Sequence, residues 1–392
     1  MKRNFITVFA LLAWMKAYPQ NQPADSSGYA KRKLKIEEVN WVSGYYTQDG
    51  NNSAVTGGVG TEKLTDFSNT VDLKLIKYGK DGVKNNLTIE VGLDNYTSAS
   101  SDMIDLSANS SASSADDRFY PSLSYLREND VKGQSAGGGL SFSSEYDYFS
   151  AGANVNFAKK TKSRNGEFTI KLQTFFDQVT MIKPVELRGG PGRRREPRNT
   201  YALSFSYSQI INPELQVVFL GDVITQKGYL GLPFHRVYFN NTGVRTENLP
   251  DTRLKIPLAV MASYFPGGRV IIKAYYRYYM DDWKITSHTL NLEIPVKITP
   301  TFSVSPFGRM YTQQATEHFA EYGEHTIVET YYTSNYDLST FNSNFLGLGL
   351  KYAPLRGIFG IKHFNAVEFR YGHYTKSTDM ISDVISMHLK FK

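Results

Sequence analysis

The sequence predicts an all-β chain: a transmembrane antiparallel β-barrel of the outer-membrane type, with about 16 strands, long extracellular loops and short periplasmic turns. Three observations carry this expectation. The C-terminal eight residues alternate, with Ile385, Met387, Leu389 and Phe391 on one face and Ser386, His388, Lys390 and Lys392 on the other. A period of two with a bulky apolar row is a half-buried strand, and at a C-terminus it reads as the closing strand of such a barrel. The same alternation recurs through most of the chain, and the connections between alternating runs are by turns short and long.

Composition agrees. The 27 Tyr and 24 Phe bring aromatics to 14%, which suits strands and the aromatic girdles of a barrel. Mean hydropathy is −0.37, and no apolar run reaches the ~18 residues of a membrane helix. A barrel gives such an average because its lumen and loops are polar. Cysteine is absent, which excludes disulfides, a thiol nucleophile and a lipidated cysteine anchor. Net charge is +7, but Lys and Arg are spread over turns and alternating strand positions. The partners expected are therefore outer-membrane lipid and lipopolysaccharide, with no nucleic acid.

The N-terminus has the outline of an export signal: Lys2 and Arg3, then a mostly apolar run from Phe5 to Trp14. No A-x-A cleavage site follows, and Lys16 intrudes. The expected organisation is a signal at about 1–20, a polar periplasmic lead at 21–36 and the barrel at 37–392, in a bacterial outer membrane.

The strands follow from alternating runs bounded by turn residues. The first is 39–46. The second, 64–77, aligns Val71, Leu73 and Leu75, and the third, 87–94, sets Leu87, Ile89, Val91 and Leu93 against Thr88, Glu90, Gly92 and Asp94. Next come 118–126, 135–144, 149–158 and 168–177. The eighth, 201–210, opposes Tyr201, Leu203, Phe205 and Tyr207 to Ala202, Ser204, Ser206 and Ser208. The rest are 215–224, 254–264, 270–280, 289–298, 302–311, 345–352, 364–374 and a last strand from 381. The register places Thr88, Glu90, Ser204, Ser206, Lys273, Arg277 and Lys390 towards the lumen.

The connections test that count. Asn212-Pro213, Pro266-Gly267-Gly268, Thr299-Pro300 and Ala353-Pro354 have turn chemistry, whereas 95–117, 179–200, 225–251 and 312–344 are long. With 16 strands and both termini on the periplasmic side, every short turn listed so falls inside and every long stretch outside. No separate plug domain is visible, so any plug must be a folded-in loop or large lumen side chains.

The stretch 140–150, L-S-F-S-S-E-Y-D-Y-F-S, with 165–172, the upstream run D-N-Y-T-S-A-S-S-D-M-I-D at 94–105 and D-R-F-Y-P-S at 117–122, resembles a bacterial family. It is the family catalogued as domain of unknown function three-five-seven-zero, with members in the Bacteroidetes. The resemblance covers most of the chain and implies an outer-membrane barrel without an assigned activity.

Candidate sites are sparse. Asp102, Asp105, Asp116 and Asp117 offer hard oxygen ligands in a Ser/Asp-rich stretch, but their spacing matches no EF-hand, and a solvated loop is the expectation. Arg193, Arg194, Arg195 and Arg198 form a dense guanidinium cluster suited to phosphate or carboxylate contacts, either with lipopolysaccharide outside or as a loop folded into the lumen. His318 and His325 lie among Glu317, Glu321 and Glu324, with a separation that fits no zinc signature. Glu145 to Tyr148 are expected as a tight turn with tyrosines anchored at the outer girdle. No nucleophile motif appears, so no catalytic residue, cofactor or metal is assigned. The functional expectation is a pore or transporter for a small solute. Its alternatives are a docking component of an envelope complex and, third, a barrel enzyme; the C-terminal strand is expected to engage the outer-membrane insertion machinery.

Overall fold

The computed structural model describes residues 33–79, 82–97, 115–188 and 194–392. The unit Leu34–Lys392 is built from strands β1 (Lys35–Gly50), β2 (Leu64–Tyr78), β3 (Val83–Thr97), β4 (Ala115–Asn129), β5 (Gln134–Ser144), β6 (Tyr148–Lys160), β7 (Gly166–Thr180), β8 (Arg195–Asn212) and β9 (Leu215–Gly228). A small hairpin follows, β10 (Arg236–Tyr238) and β11 (Val244–Thr246). Then come β12 (Thr252–Tyr264), β13 (Ile272–Asp281), β14 (Thr286–Glu293), β15 (Val296–Lys297), β16 (Phe302–Gln313), β17 (Phe341–Tyr352), β18 (Phe364–Lys376) and β19 (Met380–Phe391).

Every pairing in the large sheet is antiparallel and between chain neighbours, except the one that joins the ends. β1 bonds β2 on one side and β19 on the other, with Val39 opposite Phe391 and Gly50 opposite Met380. β14 and β15 are two pieces of one stave, since both pair with β16. Pro295 separates them: it has no N–H to give, and the ladder resumes after it. The sheet is thus a closed barrel of 16 staves, and each of the 16 expected runs corresponds to one of them, with 270–280 and 289–298 overrunning their strands by a residue or two at one end.

The sheet is apolar on its outer face. Met310, Leu346, Phe369 and Ile385 are each at least half exposed, and the residues opposite them include Leu290, Leu350, Met387, Tyr45 and Tyr371. Such a belt is unfavourable in water and is the lipid-facing surface of a membrane barrel. Inside, aromatic rings lie across neighbouring glycines. A Cβ at Gly347 would sit 2.2 Å from the Phe307 ring, and one at Gly372 2.3 Å from the Phe345 ring, so these positions accept no side chain without displacing a ring.

The staves run past the expected limits at their outer ends. β8 begins at Arg195 rather than 201, and β3 reaches Thr97 rather than 94. Alternation reports only the span in contact with lipid, while the hydrogen-bond ladder continues as far as backbone partners persist. β1 likewise begins at Lys35, within the stretch expected as lead.

Removing residues 385–392 would strip β1 and β18 of most of their shared partner and leave open edges in hydrocarbon. Membrane-inserted protein should fall to background, as read by loss of the boiling-dependent gel shift that a closed barrel shows. Normal insertion of the truncated chain would mean that β19 does not close the sheet.

Candidate functional site: the lumen and its cap

The inner wall is set by register. Asp72 on β2 lies between Asn40 and Glu90, Lys171 on β7 stands opposite Ser204, and Ser204 opposite Asp222. Arg277 on β13 lies between Ala259 and Thr289. Thr88, Glu90, Ser204, Ser206, Lys273, Arg277 and Lys390 all take the face opposite the apolar row, as the alternation predicts. Charges pair across the closing seam, with Lys390 Nζ 2.5 Å from Glu38 and His388 Nε2 2.9 Å from Asn40 Oδ1. Arg370 reaches both Glu368 and Glu293 at 3.2 Å. Two cavities lie against this wall. One, of about 510 Å³, is bounded by Lys273, Asn291, Glu293, Arg309 and Arg370 among others; the second, of about 470 Å³, by Lys171, Ser204, Asp222, Arg277 and Tyr279.

Among the described residues, several outer connections pack on one another rather than standing free in solvent. Val55 (loop 51–63), Ile182 (loop 181–194) and Phe234 (loop 229–251) form one buried cluster, with Tyr146 packed against it. Val237, Phe239 and Tyr332 form a second, which joins the 229–251 loop to the 314–340 loop; the Phe239 and Tyr332 rings meet edge to face at 4.9 Å. Arg236 binds this cap together. Its side chain is 1% exposed, its Nη1 donates to the Val55 carbonyl at 2.7 Å, and its Nε and Nη2 donate to the two oxygens of Glu186 at 2.5 and 3.1 Å. Glu247 accepts from the Thr333 hydroxyl and the Leu232 amide. The 314–340 loop also dips onto the inner wall: the Gln313 amide donates to the carbonyls of Asp337 and Ser339, and Lys376 Nζ lies 2.8 Å from Asp337. The outer loops thus fold onto one another and, at Gln313 and Lys376, onto the inner wall.

The E-Y-D-Y turn departs from expectation. Tyr146 belongs to the cap, and Tyr148 faces the lumen, where its hydroxyl donates to Asp177 at 2.5 Å. Neither is a girdle anchor, because the strand ladder restarts at Tyr148 with that side chain on the inner face. Glu145 and Asp147, two apart, converge instead on Asp116, with carboxylate oxygens of all three within 4.8 Å of one another. The Tyr96 hydroxyl donates to Glu145, and Arg118 lies 3.5 Å from it. Burial, with Asp116 and Glu145 beside it, pushes the Asp147 carboxyl up to about 6.

The other candidates separate. Asp102, Asp105 and Arg193 lie outside the described residues. Asp116 and Asp117 sit on opposite faces of β4, Asp117 outside with Asn95 and Asp116 inside, so adjacency in sequence keeps them apart in space. Arg194 is exposed and pairs with Glu196, and Arg195 is exposed at the start of β8. Arg198 is turned to the cap, donating to the carbonyls of Tyr229 and Gly231. His325 is buried with both ring nitrogens engaged, one 2.5 Å from Glu329 and the other donating to the Thr333 carbonyl, while His318 rests against Trp283 and Tyr331. The two histidines do not form a metal pair. Sequence reasoning missed Arg236 and its partners. The signal was present, since 230–239 reads as an apolar run holding one arginine and one histidine, a pattern of a folded loop rather than a solvated one.

The family model described as "Protein of unknown function (DUF3570)" matches residues 115–379. The chain belongs to this family. The match takes in the E-Y-D-Y turn, the lining of the second cavity, most of that of the first, and the 229–251 and 314–340 loops. Among curated proteins, none matches the sequence. Among solved structures, the chain is similar to OccK2 (OpdF) of Pseudomonas aeruginosa, with 9% identity, 90% of this chain and 97% of that one covered, and a TM-score of 0.41. It is similar also to a BenF-like porin of Pseudomonas fluorescens, at 8% identity, 91% and 98% coverage and a TM-score of 0.42. A loop-deletion mutant of OmpT, an outer membrane protein of Vibrio cholerae, matches at 9% identity, 92% and 100% coverage and a TM-score of 0.47.

Two outcomes are expected of the cap. Glu186→Ala strands the Arg236 guanidinium in a buried site, a change that costs about 3 kcal/mol or more. Protease should then nick 229–251 while the heat-modifiable barrel persists, and unchanged resistance would show that this pair does not hold the cap. Glu62, in the 51–63 loop, is pushed up to about 7 by burial and by Asp337, with Lys376 opposing. A raised carboxyl favours the folded cap fully below its ordinary value near 4.5, and loses that contribution as pH rises through 7. Glu62→Gln should therefore make the cap more protease-resistant at pH 8 and change little at pH 4; equal effects at both would exclude the titration.

Proposed function

We propose that the protein is a bacterial outer-membrane pore for small polar solutes, with its outer mouth covered by interlocking loops. The observation that carries this reading is the charged, polar inner wall and its two cavities, enclosed by a sheet that is closed on itself and apolar outside. Water and ions need hydrogen-bonding walls, and a barrel of about 16 strands is wide enough for an aqueous channel. The cap supplies the restriction. In the same reading, Arg194 and Arg195 stand at the mouth where lipopolysaccharide phosphates are met, and β19 is presented to the insertion machinery.

A docking role in an envelope complex is the second reading, favoured by large apolar side chains that nothing among the described residues covers. Val328 is 85% exposed on an outer loop, while Leu355 and Phe359 are 98% and 93% exposed in the β17–β18 connection on the opposite side. No observation favours the enzyme reading.

The test is single-channel recording of the purified protein in planar bilayers. The intact pore should conduct weakly, and shortening the 229–251 and 314–340 loops together should raise conductance several-fold. Inserted, heat-modifiable protein that stays electrically silent in both forms would exclude a pore and leave the docking reading.

A further inference from the structure

We infer that the lumen wall formed by β12, β13, β14 and β16 is a binding track for the oxyanion of the solute. This deepens the pore reading and rests on it for the identity of the lumen as a solute path.

The charges are divided across the barrel. In a closed sheet of 16 staves, those eight places apart face each other, so β3 looks across the lumen at β13. The inner wall of β2 and β3 carries Asp66, Asp72, Glu90 and Asp94 against Lys74 and Lys84, a net acidic face, while that of β13 and β16 carries Lys273, Arg277 and Arg309. An anion is repelled from one wall and drawn to the other. The low dielectric of the surrounding sheet and lipid strengthens that field.

On the cationic wall, the protein leaves charge uncompensated. Lys273, Arg309 and Arg370 border the 510 Å³ cavity with one carboxylate, Glu293, whose Oε1 is engaged at 3.2 Å by Arg370, itself also paired with Glu368. Lys273 stands directly opposite Glu293 in the ladder, yet no carboxylate lies within ion-pair distance of its ammonium among the described residues. Arg309 uses Nε on a neutral partner, Asn291, at 2.8 Å. In the 470 Å³ cavity, Lys171 and Arg277 accompany the single Asp222. Arg277 is the most telling. Its Nη2 meets only the Thr289 hydroxyl at 3.4 Å, and its Nε is buried and meets no acceptor in the protein. A buried guanidinium N–H without an acceptor is unfavourable by ~1–3 kcal/mol. A guanidinium whose N–H groups the protein leaves largely unused can grip two oxygens of one oxyanion.

The surroundings suit a hydroxylated body attached to that oxyanion. Thr169, Ser204, Ser206 and Tyr279 line the second cavity with hydroxyls, and Tyr275 lines both cavities, so one ring borders the two cationic stations. Each cavity is of the size that encloses a small molecule. The shared chemistry is an oxyanion, carried by a polyhydroxy carboxylate or by phosphate.

Binding is measured on the folded full-length protein in detergent, by calorimetric titration with sodium gluconate, sodium phosphate and, as a cation control, choline chloride. This readout does not require conduction, so a silent pore and an absent anion site are separate results. Gluconate, phosphate or both should bind, and which one does identifies the carrier of the oxyanion; choline should not. Arg277→Gln and Arg309→Gln should each weaken binding at least tenfold with the heat-modifiable barrel retained, while Arg277→Lys, which keeps the charge but loses the fork, should recover part of it. Absence of binding by both anions, or affinity unchanged in both glutamine variants, would overturn the inference.

Discussion

The structure depends on one constraint: in hydrocarbon, every backbone N–H and C=O must find its partner within the protein. A sheet meets it only by joining its last strand to its first, and here the join is β1 to β19, twelve residue pairs in unbroken register. Closure then dictates the rest. It divides every stave into a lipid face and a lumen face, so a single shift of register would carry Leu346 and Leu348 inside and Phe345 and Gly347 outside. It also sends the connections alternately to the two ends.

The same constraint explains why polarity concentrates in two places. Inside, the wall is free to carry Asp, Glu, Lys and Arg because water and opposing charges are within reach. The seam pairs Lys390 with Glu38, and among the described residues the far wall gives Lys273, Arg277 and Arg309 no carboxylate within ion-pair distance. Outside the lipid, the loops build a small protein-like core of their own. Arg236 and Glu186 do there what a buried pair does in a soluble domain: each satisfies the other, and together they fix the way in which three loops meet.

The barrel and the cap place different demands on the chain. The barrel requires only a period of two, repeated often enough, and tolerates wide variation in side chains. The cap requires particular partners far apart in sequence, such as Val55 with Arg236, 181 positions on, and Glu247 with Thr333, 86 positions on. Loop packing of this kind covers the mouth from within, where Asp337 reaches both Gln313 and Lys376. The solute path and its restriction are thus made by separate parts of the molecule.

Sequence alone determined the number of staves, their order, the face taken by the residues of each alternating run and the end of the barrel at which each connection lies. All four follow from short-range alternation and turn chemistry, which neighbouring residues carry in full. It could not determine what the loops do. Asp116 and Asp117 are adjacent yet face opposite ways, whereas Asp116, Glu145 and Asp147 converge from β4 and from the β5–β6 turn. Arg198, grouped by sequence with Arg193 to Arg195, turns away to the carbonyls of Tyr229 and Gly231. These outcomes belong to the tertiary structure, because they rest on contacts between segments that only a closed barrel brings together, and no local pattern encodes a partner that is many staves away.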